Sequence, residues 1–175
     1  MSHYTVLVIG NNPENQLAPF DATLNDWENP KGKWDFHRLG GGWAGHFKLK
    51  EGCKGKTKDP KEEPETNPIK DGWADQAKKG DIDFEGTLVD ERKRLEKHYV
   101  EVSEGRDCWN HICDHSQTME EYMADFDPLT THAVLVDNVW YENDEKEDGN
   151  WEKKFREFLK EASDDILISL YDIHL

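Results

Sequence analysis

Apolar residues in this chain fall into short runs separated by long polar stretches, and the spacing inside each run distinguishes strand from helix. Residues 3–10, HYTVLVIG, are β-branched, short and closed by Gly10 and Asn11-Asn12, which predicts a strand. Residues 13–20 predict a short helix, because Pro13 suits a first turn and Glu14 complements the positive end of the helix dipole. Residues 33–39 and 43–50 predict two antiparallel strands around Gly40-Gly41-Gly42, a hairpin whose bend carries no side chains. Residues 51–72, with Pro60, Pro64 and Pro68 among many charges, predict a long loop. Trp73 to Gly80 reads as a short helix, and Asp81 as the cap of a longer one on which Phe84, Leu88, Leu95 and Tyr99 recur at near-helical spacing.

Further on, Ser116 is the expected cap of a helix over residues 118–125. Residues 131–136 predict a strand, Asp137-Asn138 a turn, and residues 139–142 the returning partner. Trp151, Phe155, Phe158 and Leu159 mark an amphipathic helix that ends at Asp164-Asp165, and residues 166–175 form the closing strand. The order of elements is mixed rather than βαβ throughout. It implies one α+β domain over residues 1–175, with a mostly antiparallel sheet, adjacent N- and C-terminal strands, helices packed on it and a charged, Pro-containing loop at 51–72.

Composition changes this picture in two ways. Apolar residues make up 35% of the 175 positions and charged residues 34%, so the core must be built from the few apolar runs and the aromatic side chains. The net charge of −16 argues against tight, non-specific binding to a nucleic-acid backbone. It leaves two exceptions: the local Lys-rich segment at 48–61, and an acidic surface that occupies the nucleic-acid groove of a basic partner. Three Cys at irregular spacing, no leader-like start and no apolar run near membrane length point to the cytoplasm and to no membrane.

Candidate chemistry gathers first at the two chain ends. By the period of two, His3, Thr5, Leu7 and Ile9 share one strand face, as do Ile166, Ile168, Leu170, Asp172 and His174. If these strands are antiparallel neighbours, His3, Asp172 and His174 converge at one sheet edge. Two imidazoles with a carboxylate can work as general acid and base with an orienting group, or as part of a metal site. The second candidate is a ligand platform of Trp34, Asp35, His37, Gly41 and Trp43, in which Asp35 and His37 share a strand face and the aromatic residues beside glycine stack a base or sugar. The set Cys108, His111, Cys113 and His115 has zinc-binding residue types, but its spacing is too compressed for a familiar tetrahedral finger, and no metal or cofactor is assigned. VLVIG followed by NNPENQ lacks G-x-G-x-x-G, which excludes a dinucleotide-binding turn. His3-Tyr4-Thr5 fits one half of the H-x-T/S pattern of two-histidine phosphoesterases. The other half, His132-Ala133-Val134, has Val in place of the hydroxyl residue.

MSHYTVLVIG with NQLAPF, KWDFHRLGGGW with AGHFKLK, DQAKKGDIDFEG, VDNVWYE and the closing ILISLYDIHL together resemble a family of small phage- and prophage-encoded proteins of unassigned function. That family commonly carries Arg where this chain has Gly42, so no role resting on that Arg carries over. The resemblance implies a phage setting in a host cell, and hence a counter-defence role. Two mechanisms follow. One is an anti-CRISPR-like inhibitor that binds a host protein or ribonucleoprotein effector through its acidic surface. The other is a His/Asp-dependent phosphodiesterase or ribonuclease acting on RNA or a nucleotide signal.

Overall fold

The computed structural model describes residues 3–24, 29–57, 70–103, 118–124, 127–143 and 150–174. In chain order its elements are β1 (His3–Ile9), α1 (Pro13–Leu17), β2 (Phe36–Leu39), β3 (Phe47–Lys48), β4 (Trp73–Ala74), β5 (Gln76–Lys78), α2 (Phe84–Ser103), α3 (Met119–Ala124), β6 (Ala133–Val136), β7 (Val139–Glu142), α4 (Trp151–Glu161) and β8 (Leu167–His174). The backbone divides into two compact units, residues 1–83 with 131–175, and residues 84–130.

The first unit is built on a six-stranded sheet of order β2-β8-β1-β6-β7, with β5 also paired to β8. β1 runs antiparallel to β8 and parallel to β6, and the other pairings in this sheet are antiparallel. The fold is α+β with a mostly antiparallel sheet and adjacent terminal strands. β1 is buried on both faces because its run VLVI is apolar at every position rather than at alternate ones. On one face Val6, Val8, Leu135, Tyr171 and Ile173 pack with Leu17, Phe20 and Trp34. On the other, Leu7, Val134, Ile168 and Leu170 are fully buried, and α4 brings Phe158 to Tyr141 of β7. Fully burying one such aliphatic side chain is worth roughly 1.5–3 kcal/mol. The β6–β7 hairpin turns at Asp137 and Asn138, whose φ values of 51° and 62° fit a two-residue primed turn.

Two local expectations fail here. Residues 33–39 and 43–50 do not form a hairpin: β2 pairs with β8, while β3 pairs with β4 in a separate two-stranded sheet. The glycines between them form a 3-10 turn over Gly41–Trp43. Residues 73–80 are not a helix either. They supply β4 and β5, because both neighbouring strands offer open backbone groups, and Gln76 fixes β5 further by donating to Ser169 Oγ at 2.8 Å.

In the second unit, α2 and α3 are the helical elements, and Leu95 and Leu129 are buried. Asp81 lies in a 3-10 turn ahead of α2 rather than at its cap. α3 is capped by Thr118. Its Oγ accepts the Glu121 N–H at 3.2 Å, and Glu121 Oε2 accepts the Thr118 N–H at 2.8 Å, a reciprocal capping box. The expected cap Ser116, the zinc-type set Cys108, His111, Cys113 and His115, and the Pro residues of the charged loop lie outside the described residues.

Candidate functional site

The register of three strands assembles the site. Across β1 and β8, His3 faces His174 and Thr5 faces Asp172; across β8 and β2, His174 faces Phe36 and Asp172 faces Arg38. Residues opposite one another in an antiparallel pair share a face, so all six side chains leave the sheet on one side. Asp172 is 2% exposed, and its Oδ1 lies 3.0 Å from His3 Nδ1. Its Oδ2 accepts the Gly42 N–H at 3.2 Å and stands 3.8 Å from an Arg38 guanidinium nitrogen. His174 Nδ1 lies 2.7 Å from Asp35 Oδ1, and the Asp35 N–H donates to the His174 carbonyl. The two imidazole centroids are 5.3 Å apart.

The result is a pair of His–carboxylate dyads, side by side. Each carboxylate holds Nδ1 of its ring, which fixes ring orientation and directs Nε2 to other partners. Neither Nε2 has a hydrogen-bond partner among the described residues. The three terminal residues therefore do converge, though not at a sheet edge. β8 lies between β2 and β1, so they sit at the ends of interior strands. One carboxylate was expected to serve both rings; in the structure Asp172 orients His3 and Asp35 orients His174.

The glycine turn closes over this site. Gly40 and Gly41 have φ of 69° and 50°, and a methyl group on Gly41 would collide with the Asp172 carboxylate, one on Gly40 with that of Asp75. Asp75 is fully buried and accepts the N–H groups of Gly45 at 2.6 Å and His46 at 3.3 Å. Gly40 and Gly41 thus thread the backbone past two buried carboxylates, a close approach that only glycine allows. His46 beside it has its Nε2 enclosed without a hydrogen-bond partner, and burial pushes its pKa down to about 4.

The expected platform of Trp34, Asp35, His37, Gly41 and Trp43 is not one site. Trp34 is a core residue, 6% exposed, donating through Nε1 to the Leu17 carbonyl. His37 leaves the opposite face of the sheet from the dyads, where Nε2 meets Glu14 Oε2 at 2.7 Å and Tyr171 donates to Glu14 Oε1. Burial raises the Glu14 pKa, but the hydrogen bonds from His37 and Tyr171 and the charges of His37 and Lys56 outweigh it, and the net direction is down. Asp35 joins the dyads, Gly41 packs on Asp172, and Trp43 is 42% exposed. His132 does not complete a two-histidine phosphoesterase pattern: its N–H approaches Thr5 Oγ, and its ring stacks on Tyr4, whose neighbours on the sheet place it on the face away from His3.

Arg38 and the 48%-exposed Phe36 were missed by sequence reasoning. Their alternation in FHRL was visible, but only the β2–β8 pairing shows that they flank Asp172 and His174. Among the described residues, no group of three or more His, Cys, Asp or Glu is arranged to hold a metal ion. Fold and site together define an α+β protein with twin His–carboxylate dyads at the ends of its central strands. The chain matches no family model, no curated protein and no solved structure.

Proposed function

We propose that the protein is a His/Asp-dependent phosphodiesterase that cleaves RNA or a nucleotide signal. The observation that carries this reading is the pair of dyads: two imidazoles 5.3 Å apart, each with Nδ1 held by its own carboxylate. One neutral imidazole removes a proton from the attacking hydroxyl or water through Nε2. The new O–P bond forms as the P–O bond to the leaving group breaks, and the second imidazole, protonated, gives its proton to the departing oxygen. One proton is taken and one is given, so the pair ends with its protonation exchanged. Arg38 supplies positive charge on the same face, and the exposed Phe36 offers a stacking surface beside His174.

The test is incubation of the purified protein at substoichiometric dose with RNA oligonucleotides and cyclic nucleotides, with and without chelator, read on a gel. Cleaved product that disappears in His3→Ala and His174→Ala supports the reading; cleavage unchanged in both variants, or none at all, overturns it.

A second reading is favoured by the net charge of −16. In it the protein is a phage-type counter-defence factor that binds a host protein or ribonucleoprotein effector through its acidic surface and blocks nucleic-acid access. Such a blocker acts stoichiometrically, loses potency with salt and is indifferent to Asp172→Asn. An enzyme instead turns over at substoichiometric dose, leaves cleaved product and loses activity in Asp172→Asn.

A further inference from the structure

A second site lies at the opposite end of the same strands. β1 and β6 are parallel, so Ile9 and Val136 deliver their chains to one side, into the turns at 10–12 and 137–138. In open parallel α/β sheets ligands bind beyond the carboxyl ends of the strands, and the parallel pair β1 and β6 places two such ends side by side here. Between these turns and the end of α4 is a cleft of about 790 Å³, within the usual range for small-molecule sites. β1 spans seven residues, roughly 20 Å at about 3.3 Å per residue, so the cleft and the His3 dyad are separate places.

The frame of the cleft is tied down. Gln16, 8% exposed, donates from Nε2 to the Ile9 carbonyl at 3.0 Å and accepts the Asn138 N–H on Oε1 at 3.1 Å, so one amide joins both strand exits. Gly10 gives it room, since a Cβ there would strike the Gln16 amide. Asn11 Oδ1 accepts the Leu167 N–H at 3.2 Å and fixes the third strand to the same corner.

The rest of the lining is available for a ligand. Tyr141 and Phe158, with ring centroids 4.8 Å apart, form an aromatic wall, and Asn12, Asn15 and Asn138 line the same space. Among the described residues, the charged ones that line the cleft are Asp137 and Glu161, and none of the lining residues is Lys or Arg. Lys154, whose ammonium lies 5.1 Å from the Tyr141 ring centre, is outside it. Carboxylates without a cation repel phosphate and accept from amino or hydroxyl groups. Carboxamides present a donor and an acceptor side by side, which matches the alternating edge of a base, and an aromatic wall holds its flat face.

We propose that this cleft binds a neutral nucleoside, through its base and sugar hydroxyls and without its phosphate. The assignment does not depend on the catalytic reading of the dyads. Calorimetric titration of the full chain with adenosine, guanosine, cytidine and uridine tests it, with the matching 5′-monophosphates, ribose and maltose as comparison arms. At least one nucleoside is expected to bind, and its monophosphate to bind about tenfold or more weaker. Asn15→Leu, at an exposed position, should weaken the nucleoside about tenfold, and Glu161→Gln should narrow the gap to the monophosphate. Binding should persist in His174→Ala, which separates this result from failure of the phosphodiesterase reading. If Asn15→Leu does not fold, the Glu161→Gln comparison decides. No nucleoside binding at millimolar concentration, tighter binding of the monophosphate, or preference for ribose or maltose would each overturn the proposal.

Discussion

His3 Nδ1 stands 3.0 Å from Asp172 Oδ1, joining a half-exposed imidazole near the start of the chain to a carboxylate only 3% exposed near its end. The contact exists because β1 and β8 pair along their full length, setting Thr5 against Asp172 and His3 against His174. Asp172 is then held from three sides, by His3, the Gly42 N–H and Arg38. A buried carboxylate so surrounded cannot turn away from its imidazole without leaving partners unpaired.

Asp172→Asn is therefore expected to lower phosphodiester cleavage by about 10²-fold, the lower end of what general acid–base catalysis contributes. Asp172 acts through His3 and Asp35 through His174, so the decisive measurement is how the loss divides between kcat and KM. Asp172→Asn and Asp35→Asn should each lower kcat with little change in KM or melting temperature. A fall in melting temperature large enough to account for the lost rate would reduce both carboxylates to structural groups.

Gly41→Ala and Gly42→Ala should differ sharply although the residues are neighbours. Gly41 combines a φ of 50° with a Cβ position inside the Asp172 carboxylate, whereas a Cβ on Gly42 meets nothing nearer than Asp172 Oδ2 at 3.9 Å. The first substitution should cost about 1–3 kcal/mol or more, the second less than about 0.5 kcal/mol, by denaturant unfolding. Equal effects would contradict the packing of the turn on Asp172.

On the other face, Glu14 has its pKa lowered: burial raises it, but the hydrogen bonds and charges of its partners prevail. A carboxyl depressed in the folded state stabilises the fold above its unfolded pKa, and that stability is lost as pH falls through the folded value. Glu14→Gln should thus reduce stability at neutral pH and flatten its decline below about pH 4.5. Thermal melts across that range check it.

His46 acts in a different window. Burial lowers its pKa from 6.5 to about 4, so the unfolded chain takes up a proton that the folded chain refuses. The stability tied to its neutral ring is complete above pH 6.5 and is lost as pH falls from there to about 4, by up to about 3 kcal/mol. His46→Phe should remove this loss while leaving the Glu14 window in place. A variant with the same slope between pH 6.5 and 4 would show that the ring is open to solvent.

Much of the architecture was legible in local pattern. The runs that became β1, β6, β7 and β8, the short helix from Pro13 and the amphipathic α4 each carry their periodicity within a few residues. Local pattern is sufficient where side-chain alternation alone sets which face is buried. It also placed His3, Asp172 and His174 on faces that could meet. What it did not contain was the choice of partners. Residues 36–39 and 73–78 are short and weakly patterned, and they are strands because β8 and β3 offer them backbone groups. The glycine run has the local pattern of a hairpin bend, and only the fold brings Asp75 and Asp172 against Gly40 and Gly41.

The chain by itself determined the strands β1, β6, β7 and β8, the helices α1 and α4, and two histidines with a carboxylate on matching strand faces. Tertiary structure decided that Asp35 belongs to His174, that Arg38 and Phe36 flank the dyads, and that His37 and Trp34 do not. The reason is physical. Periodicity is written in adjacent residues, but strand pairing is a competition among backbone edges far apart in sequence, and its outcome depends on every element that folds with them.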